Sequence, residues 1–329
     1  GAEPDARGMS ATLFDRIRTG CAEVARRARF VAIDTDGVEA LADALAAEPW
    51  PDDDLDPAHH FEGDAETTLA FVLLLDAINF GSGWFPLLAK RDGMSGYRTV
   101  ATACKEAFER EGAPPVARLR ETTPERMTDL LGQQAALPGA GELMTLFARA
   151  WRDFGTYLER SHGGRYASVV ESADHSAERL VESLAEMPLY RDVMVYQTLE
   201  VPLYKRAQIT AADLHRAFGS EGWGRFDDLD RLTLFADNLV PHVLRCRGAL
   251  VYDEALLARI DRGELLEVGS AEEIEIRAVA LEVVERLVVA LARRGRPTTA
   301  HALDGLLWNA GQAAEIKARP RHRARCSFY

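Results

Sequence analysis

The chain has 329 residues, 47% of them hydrophobic, enough to bury one large core or two smaller ones. Its 39 Lys and Arg against 52 Asp and Glu leave a formal net charge of -13. A protein that grips a nucleic-acid backbone normally presents a basic surface, so this balance argues against long DNA or RNA as partner. A single nucleotide stays open, because it needs only a local cluster of donors.

Gly1 to Gly8 precede Met9 and read as a remnant added ahead of a native start, with no signal peptide. From Ala11 to Phe30 apolar residues recur at three- and four-residue spacing with arginines opposite, which predicts a helix. Phe30-Val31-Ala32-Ile33 is the best short strand. Val38 to Ala47 reads as a short helix, the acidic run Pro51 to Pro57 as a surface loop, and Thr67 to Phe80 as a largely buried helix. Thr123-Pro124 starts another, with Thr as cap and Pro at the first position. Gly141 to Glu159 and Ser176 to Glu186 continue the pattern. Pro202 marks a further helix start, placing Lys205 and Arg206 in its first turn. Gly219, Gly222 and Gly224 make a break around Trp223, and a helix from Asp227 to Ala236 leads to Asp237. Ala271 to Arg294 is the longest helix, stopped by Gly295-Arg296-Pro297, and Thr299 to Ile316 is the last. The expected fold is mainly α: a compact multi-helix globule, or two helical lobes with a cleft, in one domain over 9–329.

Cys21, Cys104, Cys246 and Cys326 are scattered with no CxxC pair, so neither a zinc site nor a redox motif is indicated and a reduced, cytoplasmic setting is expected. No apolar run approaches the roughly 20 residues that span a bilayer. His59-His60 stands beside Glu62 without a third ligand at useful spacing, so no metal site is expected. Walker, Rossmann and nucleophile-elbow motifs are absent.

Four segments could carry chemistry. Ile78-Asn79-Phe80-Gly81-Ser82-Gly83-Trp84-Phe85-Pro86 combines rings that can stack on a base, an amide that can read its edge, and glycines that let backbone approach closely. It would equally serve as a glycine-broken helix end with core aromatics. Val201 to Ile209 brings Lys205 and Arg206 to a helix start, where cations oppose the dipole unless an anion sits there; a solvated basic face is the alternative. Asp237 stands at a break between apolar patterns, suited to N-capping, since Asp competes for backbone N–H groups. Leu303-Asp304-Gly305-Leu306-Leu307-Trp308 offers a second carboxylate, or simply an exposed acid, and the His322 to Tyr329 end is basic with a closing aromatic pair that favours docking on the body.

These segments resemble the queuosine salvage proteins. The first is similar to that family's Asn-Phe-x-x-x-Trp signature, with two glycines setting it apart from the commoner spacing. Tyr204-Lys205-Arg206-Ala207-Gln208 is close to its Phe-Tyr-Lys-Arg-Ala-Gln. The last two resemble its Asp-x-x-Leu-Trp and His-Arg-x-Arg elements. More distantly, the stretch from Asp237 to Arg245 resembles the Asp-x-x-Val-x-Arg segment after the hairpin of helix-hairpin-helix base-excision glycosylases, where the Asp stabilises a sugar cation. Leu137-Pro138-Gly139-Ala140-Gly141 matches their hairpin sequence but lies too far upstream of Asp237 to be that hairpin.

The family resemblance implies a hydrolase that cleaves queuosine 5′-monophosphate to queuine and ribose 5-phosphate, with water as second reactant and no cofactor. It implies Asp237 and Asp304 as catalytic carboxylates. Asn79, Phe80, Ser82, Trp84 and Trp308 would form the base pocket, and Lys205 and Arg206 would hold the phosphate. A monomer acting on this small molecule is expected, with no long nucleic acid and no membrane. A DNA or RNA base-excision glycosylase and a non-catalytic helical nucleotide-binding protein are the competing classes.

Overall fold

A computed structural model describes residues 11–52, 54–134 and 139–329; the segment Gly1 to Gly8 and the Leu137-Pro138 pair lie outside them. The elements in order are α1 (Leu13–Arg27), β1 (Val31–Ile33), α2 (Thr35–Ala47), α3 (Ala65–Ala77), α4 (Gly96–Glu111), α5 (Val116–Arg120), α6 (Pro124–Leu130), α7 (Ala140–His162), α8 (Tyr166–Glu171) and α9 (Ala177–Leu184). There follow β2 (Val193–Tyr196), β3 (Leu199–Pro202), α10 (Lys205–Phe218), α11 (Val240–Cys246), β4 (Leu250–Tyr252), α12 (Glu254–Asp261), α13 (Ala271–Arg293), α14 (Ala300–Ala310) and α15 (Ala314–Lys317). The architecture is mainly α, as expected. Its strands make two antiparallel pairs, β1 with β4 and β2 with β3. A continuous apolar core runs from Leu13 to Ile316. Among the described residues no helix is long and apolar enough to cross a membrane.

The N-terminal half of α13 is buried on all sides, from Glu273 through Leu281, and the helix packs against α1, α2, α11 and α14. A helix apolar all round belongs at the centre of a core. Its buried polar residues are fully engaged. Glu275 Oε2 accepts the N–H groups of Arg29, Phe30 and Val31, and its Oε1 accepts the Tyr196 hydroxyl at 2.7 Å. Glu273 accepts the Tyr329 hydroxyl at 2.8 Å. Arg277 pairs with Asp192. Distant segments thus hang from one central helix.

Two expectations need correction. The helix expected from Asp227 to Ala236 is a short 3-10 turn, Leu229–Arg231, followed by an irregular buried stretch. Side chains from other elements take the backbone groups that a helix would pair internally. The Thr233 N–H donates to Gln208 Oε1 at 2.8 Å, the Phe235 N–H to Asp304 Oδ1 at 3.1 Å, and the Ala236 carbonyl accepts Arg277 Nε at 2.9 Å. The helix–turn–helix–Asp order of the base-excision glycosylases is therefore not present ahead of Asp237. The last helix also divides into α14 and α15 around Gly311, which sits hard against Leu239: an added Cβ would come within 2.8 Å of that side chain.

A candidate active site

A cavity of about 720 Å³ opens beside α10 and α14, a size usual for small-molecule sites. Residues 205, 209, 213 and 216 of α10 fall at four- and three-residue spacing, so Lys205, Ile209, Asp213 and Arg216 form one stripe along the wall. Asp304 and Trp308, one turn apart on α14, form another part of it, and the irregular stretch Phe235 to Leu239 lies between.

Asp237 is both a cap and a cavity residue. Its Oδ1 accepts the N–H groups of Leu239 at 2.9 Å and Val240 at 3.0 Å, while the half-buried side chain lines the cavity. Asp304 is buried there too. Burial, and then the charge of Asp237, push its carboxyl well above the usual carboxylate range. With Oδ1 turned to the Phe235 N–H, Oδ2 is left to carry the proton. Lys205, also buried, donates from Nζ to the Asn79 carbonyl at 3.4 Å. Burial pulls its ammonium down from the ordinary lysine value, and the charges of Asp237 and Asp304 oppose that.

The start of α10 explains where Arg206 and Lys205 go. Tyr204 stands just before it in the left-handed region, at φ 48°, a conformation a non-glycine residue keeps only when its surroundings enforce it. Asp192 supplies the enforcement. Its carbonyl accepts from Leu203 and Tyr204, and its Oδ2 accepts the Lys205 N–H at 3.1 Å. The anion at this helix start is thus the protein's own. Arg277 closes the arrangement with two bonds to the Asp192 carboxylate, at 2.9 and 2.7 Å, while Nε holds the Ala236 carbonyl. One buried ion pair fixes the residue before Asp237 and the backbone of Lys205 together.

Arg206 is not part of the cavity lining. Its guanidinium is 4.6 Å from the Phe80 ring centre and 4.4 Å from that of Tyr190, and donates to the carbonyls of Asp76, Ala77, Leu189 and Ser327. Trp84 also faces away, its indole N–H donating to Glu142 at 2.8 Å. Asn79, Phe80, Ser82 and Trp308 do line the cavity. Phe80 meets Phe147 edge-on at 5.0 Å, and Trp308 meets Tyr97 edge-on at 6.2 Å. The glycines around Ser82 admit the C-terminal segment: the Gly81 N–H donates to the Tyr329 carbonyl at 2.9 Å, and a Cβ on Gly83 would fall 2.0 Å from the Ala324 carbonyl oxygen.

That segment was expected to dock, and it does; Tyr329 is buried. Between α15 and the end it crosses the cavity as a strap. Asn238 just ahead of α11 and Arg245 in its last turn hold the strap carbonyls of His322 and Pro320, at 3.2 and 3.0 Å, while His242 of α11 holds the Ile316 carbonyl of α15 at 2.9 Å. Lys317 at the end of α15 and Arg321 and Arg323 of the strap line the cavity together with Lys90 and Arg98. Burial depresses Lys90 and Lys317, and repulsion among these cations depresses them further. Arg321 is depressed by burial, with the Asp237 charge acting against it. Among the described residues none of Lys90, Arg98, Lys317 and Arg321 has a carboxylate within ion-pair distance. Crowded cations without counter-ions make an anion site.

Sequence reasoning missed this cluster, and also Tyr97 and Asp213. The spacing of residues 205, 209, 213 and 216 was a usable signal for Asp213. The cationic cluster had none, because its members come from separate segments. His59 and His60 line the cavity too and bond instead to Thr102 Oγ1 at 2.8 Å and the Tyr97 hydroxyl at 3.3 Å.

Residues 59–329 match the family described as queuosine salvage protein. The chain is 35% identical to a queuosine 5′-phosphate N-glycosylase/hydrolase of Sphaerobacter thermophilus, over 95% of this chain and 97% of that one. It is 30% identical to the protein of that name from Mus musculus, over 93% and 96%, and 31% identical to that from Dictyostelium discoideum, over 86% of each.

Proposed function

The chain belongs to the queuosine salvage protein family, and on that premise we propose that it hydrolyses the N-glycosidic bond of queuosine 5′-monophosphate, releasing queuine and ribose 5-phosphate. The observation that carries this reading is the convergence of Asp237, Asp304 and Lys205 in a nucleotide-sized cavity whose rim holds unpaired cations.

Breaking the C1′–N9 bond builds positive charge on the sugar and negative charge on the base. The Asp237 carboxylate faces the sugar cation and orients the attacking water. Its capping bonds hold the side chain in place, so little reorganisation accompanies the step. Water's hydroxyl ends on C1′ and its remaining proton, in the net reaction, on N9. Queuine is a 7-deazapurine and has no basic N7 to protonate, so the leaving base needs another donor. Asp304, kept neutral by burial and by Asp237, supplies it from Oδ2, as a carboxylic acid can when an apolar setting raises its pKa. Lys205 balances the two acids. Phe80 and Trp308 give stacking surfaces, and Asn79 an amide for the base edge.

The 5′-phosphate belongs at Lys90, Arg98, Lys317 and Arg321 rather than at Lys205 and Arg206. Support comes from the missing counter-ions of the first group, and from Asp192 already filling the α10 start. Arg321 lies within electrostatic reach of Asp237, which suits a phosphate one ribose away from the bond that breaks. Binding energy gained there can place C1′ against Asp237. The test is product analysis after mixing protein with queuosine 5′-monophosphate. Free queuine and ribose 5-phosphate are expected; an unchanged nucleotide would contradict the reading and favour a binding protein.

A further inference from the structure

Lys205 and Asp213 stand on one face of α10, eight residues apart and so roughly 12 Å along its axis. The side chain of Asp213 lines the cavity at 6% exposure, and its Oδ1 accepts Arg216 at 2.7 Å. Behind it lies a second acid. Asp76, on the last turn of α3, is 1% exposed; its carboxyl oxygens lack a partner at hydrogen-bond geometry among the described residues, though Thr210 and Asn79 lie close enough to favour its ionised form. After burial, the charge of Asp213 does most to raise the Asp76 pKa, and the Lys205 charge acts against it. In front stand Tyr97 and Trp308, their rings 6.2 Å apart and nearly perpendicular, both lining the cavity. The charges of Asp213 and Asp76 also reach the Tyr97 phenol, which burial first of all keeps neutral.

Among the described residues Asp213 meets Arg216 through Oδ1 only, and burial with the Asp213 charge pushes the Asp76 carboxyl well above the usual carboxylate range. A second cation brought against the remaining Asp213 oxygen therefore favours the ionised form of both acids. Two aromatic rings favour an organic cation over a hydrated metal ion. The proposed substrate carries such a group. Queuine bears an aminomethyl arm at C7 whose secondary amine is protonated at neutral pH, at the far end of the molecule from the phosphate. Asp54 and Asp56 line the cavity as well, but they are exposed, where screening leaves an ion pair little power to discriminate. Asp237 and Asp304 are engaged at the scissile bond.

We propose that Asp213, backed by Asp76 and framed by Tyr97 and Trp308, receives the protonated amine of the queuine arm and selects for it over guanine nucleotides. This rests on the functional reading above and deepens it. Phosphate cluster and amine site bracket the reacting bond, so a substrate charged at both ends is held across Asp237.

The test compares two probes that differ in charge at C7, the 5′-monophosphates of 7-aminomethyl- and 7-cyano-7-deazaguanosine. The wild-type protein is expected to favour the cationic probe in kcat/KM by about 10-fold or more, through KM, as a buried charge pair would give. Asp213→Asn should erase that preference, and Asp76→Asn should weaken it. Melting temperatures of both variants are read alongside; if Asp213→Asn does not fold, the wild-type preference and Asp76→Asn decide. A wild-type protein that turns over both probes equally overturns the proposal, as does a preference left intact by the folded variants. If the wild type cleaves queuosine 5′-monophosphate and shows no such preference, only the amine site fails. If it leaves queuosine 5′-monophosphate untouched, the functional reading fails first.

Discussion

The backbone N–H of Phe235 donates to Oδ1 of Asp304 across 3.1 Å, joining the stretch that carries Asp237 to the middle of α14. This bond ties the two acids of the cavity into one unit and leaves a single Asp304 oxygen for chemistry. Burial and the Asp237 charge keep that oxygen protonated. A carboxyl that is neutral in the folded protein and ionised in the unfolded one has its own pH signature.

That signature is the first prediction. The Asp304 pKa is raised on folding, so the stability it contributes is fully present below about pH 4, the unfolded carboxyl value, and is lost as pH rises through the folded value. Asp304→Asn should therefore show a flatter dependence of stability on pH above about 4, while its turnover falls about 100-fold or more, as for loss of a general acid. Denaturation midpoints across pH, paired with rates, check both parts. A variant with unchanged turnover would remove Asp304 from the proton path.

Phosphate recognition gives the second. Arg321→Gln should raise KM for queuosine 5′-monophosphate by about 10- to 100-fold, the worth of one charge-assisted bond, and barely change turnover of the nucleoside. Arg206→Gln should instead lower the melting temperature and affect both substrates alike, because its bonds go to carbonyls of the fold. The reverse pattern would return the phosphate to the α10 start.

The third concerns support beneath the site. Arg277→Met leaves the Asp192 carboxylate buried without its cation, and one-sided removal of a buried pair costs about 3–5 kcal/mol. Chemical denaturation should register that loss. Turnover by the molecules that remain folded should also fall, since the Ala236 carbonyl and the Lys205 N–H lose a shared anchor. Full turnover in a destabilised variant would restrict Arg277 to the core.

The fourth is selectivity. GMP lacks the C7 arm and should be hydrolysed far more slowly than queuosine 5′-monophosphate, by about 100-fold or more if one buried charged contact is lost. Parallel initial rates decide it, and comparable turnover would mean the cavity reads only the ribose phosphate.

Much of this was legible in the sequence where the signal is local. The apolar periodicity of Ala271 to Arg294 marks α13, and Thr123-Pro124 marks the start of α6. Asp237, Asp304 and Lys205 could be singled out because each lies in a short recognisable segment. The expected helix from Asp227 to Ala236 failed because its backbone is satisfied by Gln208, Asp304 and Arg277, all distant in the chain. Arg206 and Trp84 looked like ligand residues by type, yet carbonyls and Glu142 claim them. The cationic rim gathers Lys90, Arg98 and Arg321 from separate segments, brought together where the C-terminal segment is tied to the body at Asn238, Arg245, Gly81 and Leu266, contacts between residues far apart in the chain.

Asp237→Asn tests the central claim most directly. Asn caps a helix about as well as Asp, so the bonds to the Leu239 and Val240 N–H groups survive and only the charge is lost. The measurement is single-turnover hydrolysis of queuosine 5′-monophosphate at saturating protein, beside the melting temperature of the same sample. The account predicts a rate lower by about 100- to 1,000-fold and a melting temperature within the few degrees that about 1 kcal/mol represents. A well-folded variant that cleaves at the wild-type rate would contradict it and reduce Asp237 to a helix cap.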